Sequence, residues 1–434
     1  MAAPTGSSNF SAYLDSLANF GIEPSLDGIE ALCRRLGDPQ KQFDVIQITG
    51  TNGKTSTARM IQALLTAHGV VCGLYLSPHL TAYHERIGVD GAEINDADFE
   101  EIGRLVREQT AVAERSLDGR RITQFEAITA AALAYFARRR VQVAVLEVGM
   151  GGRWDATSIA TPLVAAITNV TMDHADWLGP ELADIAGEKS YVIRAGNTVV
   201  AGPASPEVEA IFEARAQTQG ARLLKSGRDF SRLATTGDTV AIKTTAATYD
   251  GIALGVAGPW QPDNAVTAVA AAEAYFKQPF DVELVRRALA AVRSPGRAEL
   301  VPGEPDIFLD GAHNLDGVNG LVDYLKTRFT GRKLVLLVSI LRDKAAPAMV
   351  AKLLEAGREI IFTAGDNPRC LKPSELARLA KEHGVSATEE PQAEAALAKA
   401  KSEAGESGVV VVTGSLYLVG EIRKLLKNQA VTFP

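Results

Sequence analysis

The regular alternation of short, apolar, β-prone runs with helical patterns is the feature that most constrains how this chain can fold. Such alternation favours parallel sheets whose strands are joined by crossover helices. The clearest strands are predicted over residues 43–49, 71–77, 141–148, 164–168 and 198–201. Helical patterns are predicted over residues 55–68, 96–115 and 125–139, between those strands. The sequence therefore predicts an α/β fold.

The junction between the first predicted strand and its helix reads GTNGKTS, residues 50–56. Glycines followed by a lysine and a hydroxyl are typical of a phosphate-binding loop, because backbone N–H groups and the positive helix end point at the anion. A Walker A loop would have glycine where this chain has Ile48, so the loop is a shortened variant. Its predicted nucleotide-binding residues are Gly50, Thr51, Asn52, Gly53, Lys54, Thr55 and Ser56. Alone, the loop fits a GTPase or a motor ATPase equally well.

A break at residues 293–299, RSPGRAE, separates two αβ alternations. Before it, residues 233–257 predict a small antiparallel element, and residues 264–276 and 282–292 predict helices. After it, strands are predicted over residues 307–310, 334–339, 360–363 and 409–413, and a solvated helix over 391–406. We therefore predict an N-terminal P-loop nucleotide domain over residues 1–294, with a mostly parallel sheet. A smaller, doubly wound α/β domain is predicted over residues 295–434.

Composition excludes several other classes of protein. The formal net charge of -7 argues against a general nucleic-acid binder. Three cysteines without a C-x-x-C pair argue against a zinc site or a disulfide framework. The chain shows no signal-peptide pattern and no run of 18 apolar residues. We expect a cytoplasmic monomer with small-molecule partners, and neither nucleic acid nor membrane as a partner.

Two further stretches place metal-binding side chains at predicted strand ends. In LSPHLTAYHERI, residues 76–87, the Ser77 hydroxyl can face a metal and Arg86 can meet a carboxylate or phosphate. An ordinary polar loop explains that stretch equally well. In LEVGMGGRWDATS, residues 146–158, Glu147 ends a strand and precedes three glycines, where its carboxylate can meet Mg²⁺. A glycine-rich surface turn is the alternative.

Two more stretches are ambiguous by themselves. His174, in TNVTMDHADWLG at residues 168–179, can be a metal ligand or a capping residue. Lys189, in GEKSYVI at residues 187–193, has mostly apolar neighbours. That setting favours a surface lysine whose stem covers apolar side chains.

Together these stretches resemble the folylpolyglutamate synthase and dihydrofolate synthase family of Mur-ligase-like, ATP-dependent amide ligases. The resemblance runs from about Tyr13 to the C-terminus. The motifs that carry it are, in order, G-T-N-G-K, S-P-H-L…E-R-I, F-E-x-x-T, L-E-V-G-x-G-G-R-x-D-A-T, D-H-x-x-x-L-G, E-K, P-G-R-x-E, D-G-A-H-N and G-S-L-Y. Cell-wall Mur ligases share the loop but not the S-P-H-L…E-R-I and TQFEAIT stretches.

The resemblance implies a ligase that joins L-glutamate to folate or dihydropteroate through an acyl phosphate, with ATP and two Mg²⁺ ions. Thr55 or Ser56, together with Ser77 and Glu147, would hold one Mg²⁺. Glu147 and His174 would hold the second. Lys189 would be carbamylated by CO₂, which converts a cation into a carboxylate-like group. Its implied catalytic residues are Lys54, Lys189 and His313.

The resemblance also implies how the substrates are bound. Phe125 would stack on the pterin while Thr123 and Asp155 bond its polar edge; a core position for Phe125 is the alternative. Further substrate contacts would come from Arg86, His313 and the G-S-L-Y serine, Ser415. Adenine would meet Gln261 and Asn264, the phosphates Arg297, and the adenosine hydroxyls Asp310. Asn264 can instead be a helix N-terminal residue, and Arg297 a linker arginine.

Departures from the family's usual pattern affect the predicted substrate preference. Thr55 stands where glycine is more common, Gln47 where histidine is usual, and Ala345 where a second acid is usual. EKSY replaces E-K-A-G, and H-N-L replaces H-N-P. Whether the chain makes dihydrofolate, extends the glutamate tail or does both stays open.

Two other functions fit part of the sequence pattern. A Mur-like amide ligase could act on another carboxylate, and the Phe125 stretch discriminates against it. A nucleotide-dependent switch without ligation would leave Asp310 and His313 of the C-terminal cleft without a role.

Overall fold

The computed structural model describes residues 9–18, 24–234, 238–365 and 367–426. The outer ends of the two predicted domains, residues 1–8 and 427–434, lie outside the described residues, as do residues 235–237 of the predicted antiparallel element. Among the described residues, no helix combines the length and apolar character needed to cross a membrane.

An eight-stranded sheet occupies the larger part of the chain. Its strands are β1 (Asp44–Thr49), β2 (Cys72–Tyr75), β3 (Ile87–Val89), β4 (Ala92–Glu93), β5 (Val143–Glu147), β6 (Val164–Ile167), β7 (Thr198–Ala201) and β8 (Arg222–Lys225). The spatial order is β4-β3-β2-β5-β1-β6-β7-β8. Only the β2–β3 and β3–β4 pairs are antiparallel, so the predicted mostly parallel sheet is confirmed.

Ten helices surround this sheet in the described part of the chain. They are α1 (Phe10–Leu17), α2 (Asp27–Arg35), α3 (Lys54–Ala67), α4 (Asp96–Ala113), α5 (Gln124–Arg138), α6 (Ala175–Leu178), α7 (Leu182–Lys189), α8 (Pro206–Gln219), α9 (Gln261–Phe276) and α10 (Val282–Ala291). Alternate residues of β1 face opposite sides, as a strand requires. Ile46 and Ile48 pack with α3, α9 and α10, whereas Val45 packs with α1, α2, α4 and α5.

The predicted antiparallel element is a three-stranded sheet. Its strands are β9 (Ser231–Leu233), β10 (Val240–Lys243) and β11 (Thr248–Ile252), with β10 in the middle. Ile242, Tyr249 and Ile252 join the same buried cluster as α3 and α9. The small sheet is therefore part of the N-terminal core.

A six-stranded sheet follows the break at residues 293–299. Its strands are β12 (Glu299–Val301), β13 (Asp306–Leu309), β14 (Leu334–Val338), β15 (Glu359–Phe362), β16 (Thr388–Glu389) and β17 (Val409–Thr413). They lie in the order β12-β13-β17-β14-β15-β16, and only β12–β13 is antiparallel.

Helices cover both faces of this second sheet, which confirms the doubly wound prediction. They are α11 (Leu315–Arg328), α12 (Ala346–Leu353), α13 (Pro373–Glu382), α14 (Ala393–Ala404) and α15 (Leu416–Leu425). The first three pack on one face, and α14 and α15 on the other. The helix predicted over residues 391–406 is α14, but it is not solvated all round, because Ala396, Leu397 and Ala400 are buried.

Candidate active site

A cavity of about 460 Å³ lies where the carboxyl ends of β1 and β5 face those of β13 and β17. Clefts at the carboxyl ends of parallel strands are where open α/β sheets bind ligands. The predicted site residues that line it are Thr51, Asn52, Gly53, Lys54, Thr55, Ser56, Ser77, Glu147, His174, Arg297, Asp310, His313 and Ser415. The other predicted site residues do not line this cavity: Gly50, Arg86, Thr123, Phe125, Asp155, Lys189, Gln261 and Asn264.

The loop between β1 and α3 requires glycine at two positions. Gly50 and Gly53 have φ angles of 147° and 83°, which L-residues rarely adopt. A Cβ atom on Gly50 would lie 1.9 Å from Thr168 Oγ1, and one on Gly53 would lie 2.2 Å from Asn264 Oδ1. The loop is therefore pressed between the end of β6 and helix α9, and its backbone can approach a ligand closely.

Two lysine ammonium groups converge on this loop. Lys54 Nζ donates to the carbonyl oxygens of Gly50 at 2.9 Å and Thr51 at 3.0 Å. Lys189 Nζ donates to the same Gly50 oxygen at 2.8 Å. Burial lowers the pKa of Lys54, and Glu147 and Asp173 oppose that shift.

Lys189 is not the surface lysine that its local sequence favours. It is 5% exposed, because α7 carries it under the phosphate loop rather than towards solvent. Burial, followed by the positive charge of Lys54, lowers its pKa to about 7. A substantial share of its amine is therefore neutral near neutral pH.

Thr55, Ser77 and Glu147 form a cluster that we call the metal corner. Thr55 Oγ1 donates to Glu147 Oε1 at 2.8 Å, and the Ser77 amide donates to Glu147 Oε2 at 3.2 Å. Ser77 Oγ is buried without a hydrogen-bond partner among the described residues. Two hydroxyls and a carboxylate are oxygen ligands of the kind that Mg²⁺ prefers, so the cluster fits the ion.

The same geometry distinguishes Thr55 from Ser56, which the sequence left open. Ser56 Oγ accepts from Gln261 Nε2 at 3.2 Å and lies 3.5 Å from Ser294 Oγ, so it points towards α9.

Burial raises the pKa of Glu147, and Lys54 opposes that effect. A divalent cation would offset the cost of burying this carboxylate.

Asp173 is a central residue of the site that sequence reasoning missed. Its Oδ1 accepts from Lys344 Nζ at 2.6 Å, and its Oδ2 accepts from Asn314 Nδ2 at 2.9 Å. Burial by itself would raise its pKa, but His174, Lys344 and His313 together hold that pKa well below its usual range. Asp173 therefore ties the β6 end of the first sheet to two elements of the second.

His174 and His313 both lie beside Asp173. Their Nε2 atoms are 3.8 and 3.9 Å from Asp173 Oδ2. Burial lowers the pKa of each histidine to about 4, so both rings are neutral at physiological pH. His313 Nδ1 lies 2.8 Å from the carbonyl oxygen of Gly311 and so carries the proton, which leaves Nε2 as an acceptor.

No group of three His, Cys, Asp or Glu side chains arranged to hold a metal occurs within residues 9–18, 24–234, 238–365 and 367–426. The metal corner has only one such side chain, Glu147, because its other ligands are hydroxyls. A second Mg²⁺ between Glu147 and His174 stays a prediction.

A second link between the two sheets starts from the phosphate loop. Asn52 Nδ2 donates to Asp316 Oδ2 at 2.9 Å, and Asn314 Nδ2 donates to Asn52 Oδ1 at 3.0 Å. Asn52 and Asn314 stand in the motifs G-T-N-G-K and D-G-A-H-N, but the sequence gave no signal that the two side chains meet.

Several predicted ligand-binding residues already have structural partners. The Asp310 oxygens accept from the amides of Ala298 and Ala312 at 2.8 and 2.9 Å. Ser415 caps α15 by accepting from the Tyr417 amide at 3.2 Å.

Asn264 Nδ2 donates to the Gln261 side chain at 3.1 Å, behind the loop rather than in the cavity wall. Arg297 Nη1 donates to the Gly296 carbonyl at 3.3 Å. Nucleotide and substrate roles for these residues stay predictions.

In the predicted pterin stretch, the polar side chains serve local structure. Thr123 caps α5, with its Oγ1 donating to Glu126 Oε2 at 3.0 Å. Asp155 Oδ2 accepts from the Gly149 amide at 2.9 Å and Oδ1 from Thr157 Oγ1 at 2.6 Å. Phe125 is half-buried, with its ring 6.2 Å from that of Tyr75. The ring therefore belongs partly to the core and partly to the surface.

Arg86 lies among neighbours of its own loop. Its Nε donates to His79 Nδ1 at 2.9 Å, and its guanidinium lies 5.4 Å from the centre of the Tyr83 ring. Its proposed contact with substrate stays a prediction.

Two family models match the chain, the Mur ligase middle domain over residues 48–272 and the Mur ligase, glutamate ligase domain over residues 296–416. With the phosphate loop and the cleft between two sheets, these matches define a Mur ligase.

The dihydrofolate synthase/folylpolyglutamate synthase of Mycobacterium tuberculosis is 38% identical over 381 residues, which is 83% of this chain and 78% of that protein. The M. tuberculosis folylpolyglutamate synthase solved with ADP and AMPPCP superposes with a TM-score of 0.90 at 35% identity, covering 96% of this chain and 98% of that one. The bifunctional enzyme of Yersinia pestis, solved with AMPPNP and a Mn ion, has a TM-score of 0.85 at 31% identity, covering 98% and 100%.

The chain therefore belongs to the dihydrofolate synthase/folylpolyglutamate synthase family, whose members are ATP-dependent ligases. The resemblance inferred from the motifs is confirmed.

Proposed function

We propose that the chain ligates L-glutamate to the carboxylate of a folate-type substrate, with ATP as the energy source and an acyl phosphate as intermediate. One observation carries the proposal. A single cavity brings the phosphate loop and the metal corner of the first sheet together with His313 of the second. Activation of a carboxylate and its capture by an amine both have residues available in that cavity.

The phosphate loop and metal corner would hold the ATP phosphates. Lys54 would exchange its two carbonyl acceptors for phosphate oxygens, as P-loop lysines do. Mg²⁺ held by Thr55, Ser77 and Glu147 would offset the negative charge of those oxygens. The nucleotides and the Mn ion bound by the two solved relatives support such a site.

The reaction follows from this placement. A carboxylate oxygen attacks the γ-phosphorus, the bond between that phosphorus and the β,γ-bridging oxygen breaks, and ADP leaves. The amine nitrogen of glutamate then attacks the acyl carbon, phosphate leaves, and the amine gives up a proton. His313 Nε2, which carries a lone pair, can accept a hydrogen bond from the attacking amine. The contacts of Asn52 and Asp173 with the second sheet would exclude water from the acyl phosphate.

Lys189 is proposed to react with CO₂. Its neutral amine nitrogen attacks the carbon, an N–C bond forms, and one proton passes to water. The pKa of about 7 supports a usable fraction of neutral amine. The product removes a positive charge next to Lys54 and supplies oxygen atoms, which we propose as further ligands of the second Mg²⁺.

We also propose that the protein is a cytoplasmic monomer whose partners are ATP, L-glutamate and a folate or dihydropteroate substrate. The net charge of -7 supports the absence of a nucleic-acid partner.

The test is to incubate purified protein with ATP, Mg²⁺ and L-glutamate, offering dihydropteroate and tetrahydrofolate in separate reactions. Glutamyl product and ADP in equal amounts with either substrate support the proposal, and the substrate used tells which of the two ligations occurs. Glu147→Gln is the inactive control, because it keeps the side-chain shape but removes the charge from the metal corner. ADP release that needs neither carboxylate substrate nor glutamate would favour a nucleotide-dependent switch, and the absence of both ADP and glutamyl product with either substrate would favour a Mur-like ligase acting on another carboxylate.

A further inference from the structure

A second, smaller cavity lies beside the metal corner, with a volume of about 30 Å³. Its polar wall consists of Thr55, Arg59, His79, Glu85, Ser294 and Arg297. Thr55 and Arg297 also line the large cavity, so the two cavities adjoin. The smaller one has room for a single small group rather than for a whole ligand.

Arg59 contributes to this wall a side-chain nitrogen that has no hydrogen-bond partner on any described residue. It follows Thr55 by one helical turn on α3, so both residues lie on one face of that helix. Its Nε is buried and finds no hydrogen-bond acceptor in the described part of the chain. No described carboxylate forms an ion pair with it, although Glu93, Glu147 and Glu85 are near enough to favour its charged form. Arg59 is half-buried, but a buried N–H group of a guanidinium without an acceptor is costly.

Glu85 is the carboxylate of the wall, but its oxygens are already occupied. Oε2 accepts from the Leu80 amide at 2.8 Å, and Oε1 accepts from the amides of Thr81 at 2.6 Å and Ala82 at 2.9 Å. Glu85 therefore holds its own loop in place and leaves Arg59 unpaired.

His79 contributes a donor without a charge. Its Nδ1 accepts from Arg86 Nε at 2.9 Å, so the ring proton is on Nε2. Burial, followed by the charge of Arg86, lowers its pKa to about 4. The wall thus presents two guanidinium groups and a neutral N–H donor, and it has no carboxylate free to pair with them.

We infer that the small cavity is a subsite for one carboxylate group of a substrate, bound by Arg59 together with Arg297. The inference rests on the proposed function, since the amino-acid substrate and the folyl substrate both carry carboxylates. A planar guanidinium pairs with a carboxylate through two parallel hydrogen bonds. Because the small cavity adjoins the metal corner, a substrate whose carboxylate is bound there could still reach the phosphate loop.

Arg59→Gln tests the inference, with Arg59→Lys as the conservative variant. The matched control is Arg34→Gln on α2, whose side chain is 71% exposed. We expect Arg59→Gln to raise the KM for one carboxylate substrate by about tenfold or more, because it removes a charge-assisted, bidentate pair. The KM for ATP should stay within about twofold of wild type, a change of less than 0.5 kcal/mol. A rise for L-glutamate assigns the subsite to the amino acid, and a rise for the folyl substrate assigns it to the folate.

A binding measurement separates failure of this inference from failure of the proposed function. L-glutamate and tetrahydrofolate are titrated separately into wild type and Arg59→Gln by calorimetry, with Mg²⁺ and AMPPNP present. A wild type that forms no glutamyl product refutes the proposed function, yet a selective loss of binding in Arg59→Gln still supports the subsite. Equal affinities in both proteins would mean that the cavity holds only water, and would overturn the inference. Arg59 would equally be a purely structural residue if both affinities and the Tm fell together.

Discussion

Thr55 and Ser56 are adjacent hydroxyl residues, and only their directions decide which of them can serve a metal. Thr55 meets Glu147, whereas Ser56 meets Gln261 and Ser294 behind the loop. Neighbouring positions in a helix point about 100° apart. The sequence could not separate the two, because only the packing of the helix decides which of them faces Glu147.

Replacing Thr55 by Val should therefore lower kcat by about 100-fold or more, the usual effect of losing one preorganised contact to reacting phosphates. Val keeps the branched shape, so the Tm should hardly change. Ser56→Ala is the matched comparison and should lose much less activity. Steady-state kinetics and thermal melts of both variants check this prediction. Equal losses in the two variants would contradict the assignment of Thr55 to the metal corner.

Lys189 belongs to the same scale, and its amine should control activity through CO₂. Ligation by wild type should fall as the pH drops through about 7, because the protonated amine cannot attack CO₂. Buffers freed of dissolved CO₂ should deepen that loss. Lys189→Ala should lose most activity, regain part of it with added acetate, and show no acid limb near pH 7 while acetate is present. A fully active Lys189→Ala protein would refute the proposed carbamate.

Phe125 tests the proposed pterin pocket. If its exposed edge stacks on a pterin, Phe125→Ala should weaken binding of the folyl substrate by about 5- to 150-fold, using roughly 1–3 kcal/mol for stacking of a flat heterocycle on an aromatic ring. Apparent affinities for ATP and glutamate should change much less. Phe99→Ala is the core comparison, because Phe99 is 1% exposed and its loss should cost about 3–5 kcal/mol of stability. If Phe125→Ala destabilises the fold as strongly as Phe99→Ala does, Phe125 is a core residue.

Asp173 shows what the sequence could not reveal at this scale. Its partners Lys344 and Asn314 lie 171 and 141 residues further along the chain. Local patterns carry no information on such contacts. The sequence therefore predicted a metal-binding role for the neighbouring His174 and none for Asp173. Asp173 and Asn314 stand in the motifs D-H-x-x-x-L-G and D-G-A-H-N, but neither motif indicates that the two side chains meet.

At the scale of secondary-structure elements, the sequence located long buried strands well and very short ones poorly. β7 and β17 have the predicted bounds, and β1, β5 and β6 differ from theirs by at most two residues at either end. Four strands of two or three residues, β3, β4, β12 and β16, were not predicted, and neither was the four-residue edge strand β8. Such strands contain too few residues to show an alternating pattern, and pairing with a neighbour creates them.

The phosphate loop is the element whose backbone is most sharply defined. Gly53→Ala should weaken ATP binding, because the new Cβ would meet Asn264 Oδ1 at 2.2 Å in addition to the strain of a positive φ. Gly37→Ala is the matched control, since its φ is 82° and nothing lies within 4 Å of the added Cβ. Both variants should lose about 1–2 kcal/mol of stability from the strained backbone, but only Gly53→Ala should lose nucleotide affinity. Calorimetric titration with AMPPNP and denaturant unfolding measure the two effects. Unchanged affinity in Gly53→Ala would show that the loop can shift away from α9.

At the scale of the whole molecule, the sequence predicted two α/β units but not what joins them. The buried ion pair of Asp173 with Lys344, 6% and 4% exposed, is the shortest polar contact between the two sheets. The sequence assigned no role to Lys344, because its partner could not be identified from local patterns.

Breaking this pair should loosen the connection between the sheets. Lys344→Met leaves the Asp173 carboxylate buried without its cationic partner, so it should cost about 3–5 kcal/mol of unfolding free energy. Asp173→Asn combined with Lys344→Met should cost clearly less than the sum of the single changes, because neither charge then remains. Denaturant unfolding of the four proteins in the cycle measures the coupling. Additive losses would show that the pair is not a stabilising contact.

The Gly50 carbonyl oxygen accepts from Lys54 and from Lys189 at once. A ligand that draws Lys54 towards a phosphate moves a positive charge and so changes the electrostatic field at Lys189. A reaction that removes the charge of Lys189 changes the field at Lys54 in the same way. If the proposed carbamate forms, ATP and CO₂ are therefore heterotropic effectors of each other. Thermodynamic reciprocity then requires that the factor by which dissolved CO₂ changes nucleotide affinity equals the factor by which nucleotide changes the affinity of Lys189 for CO₂.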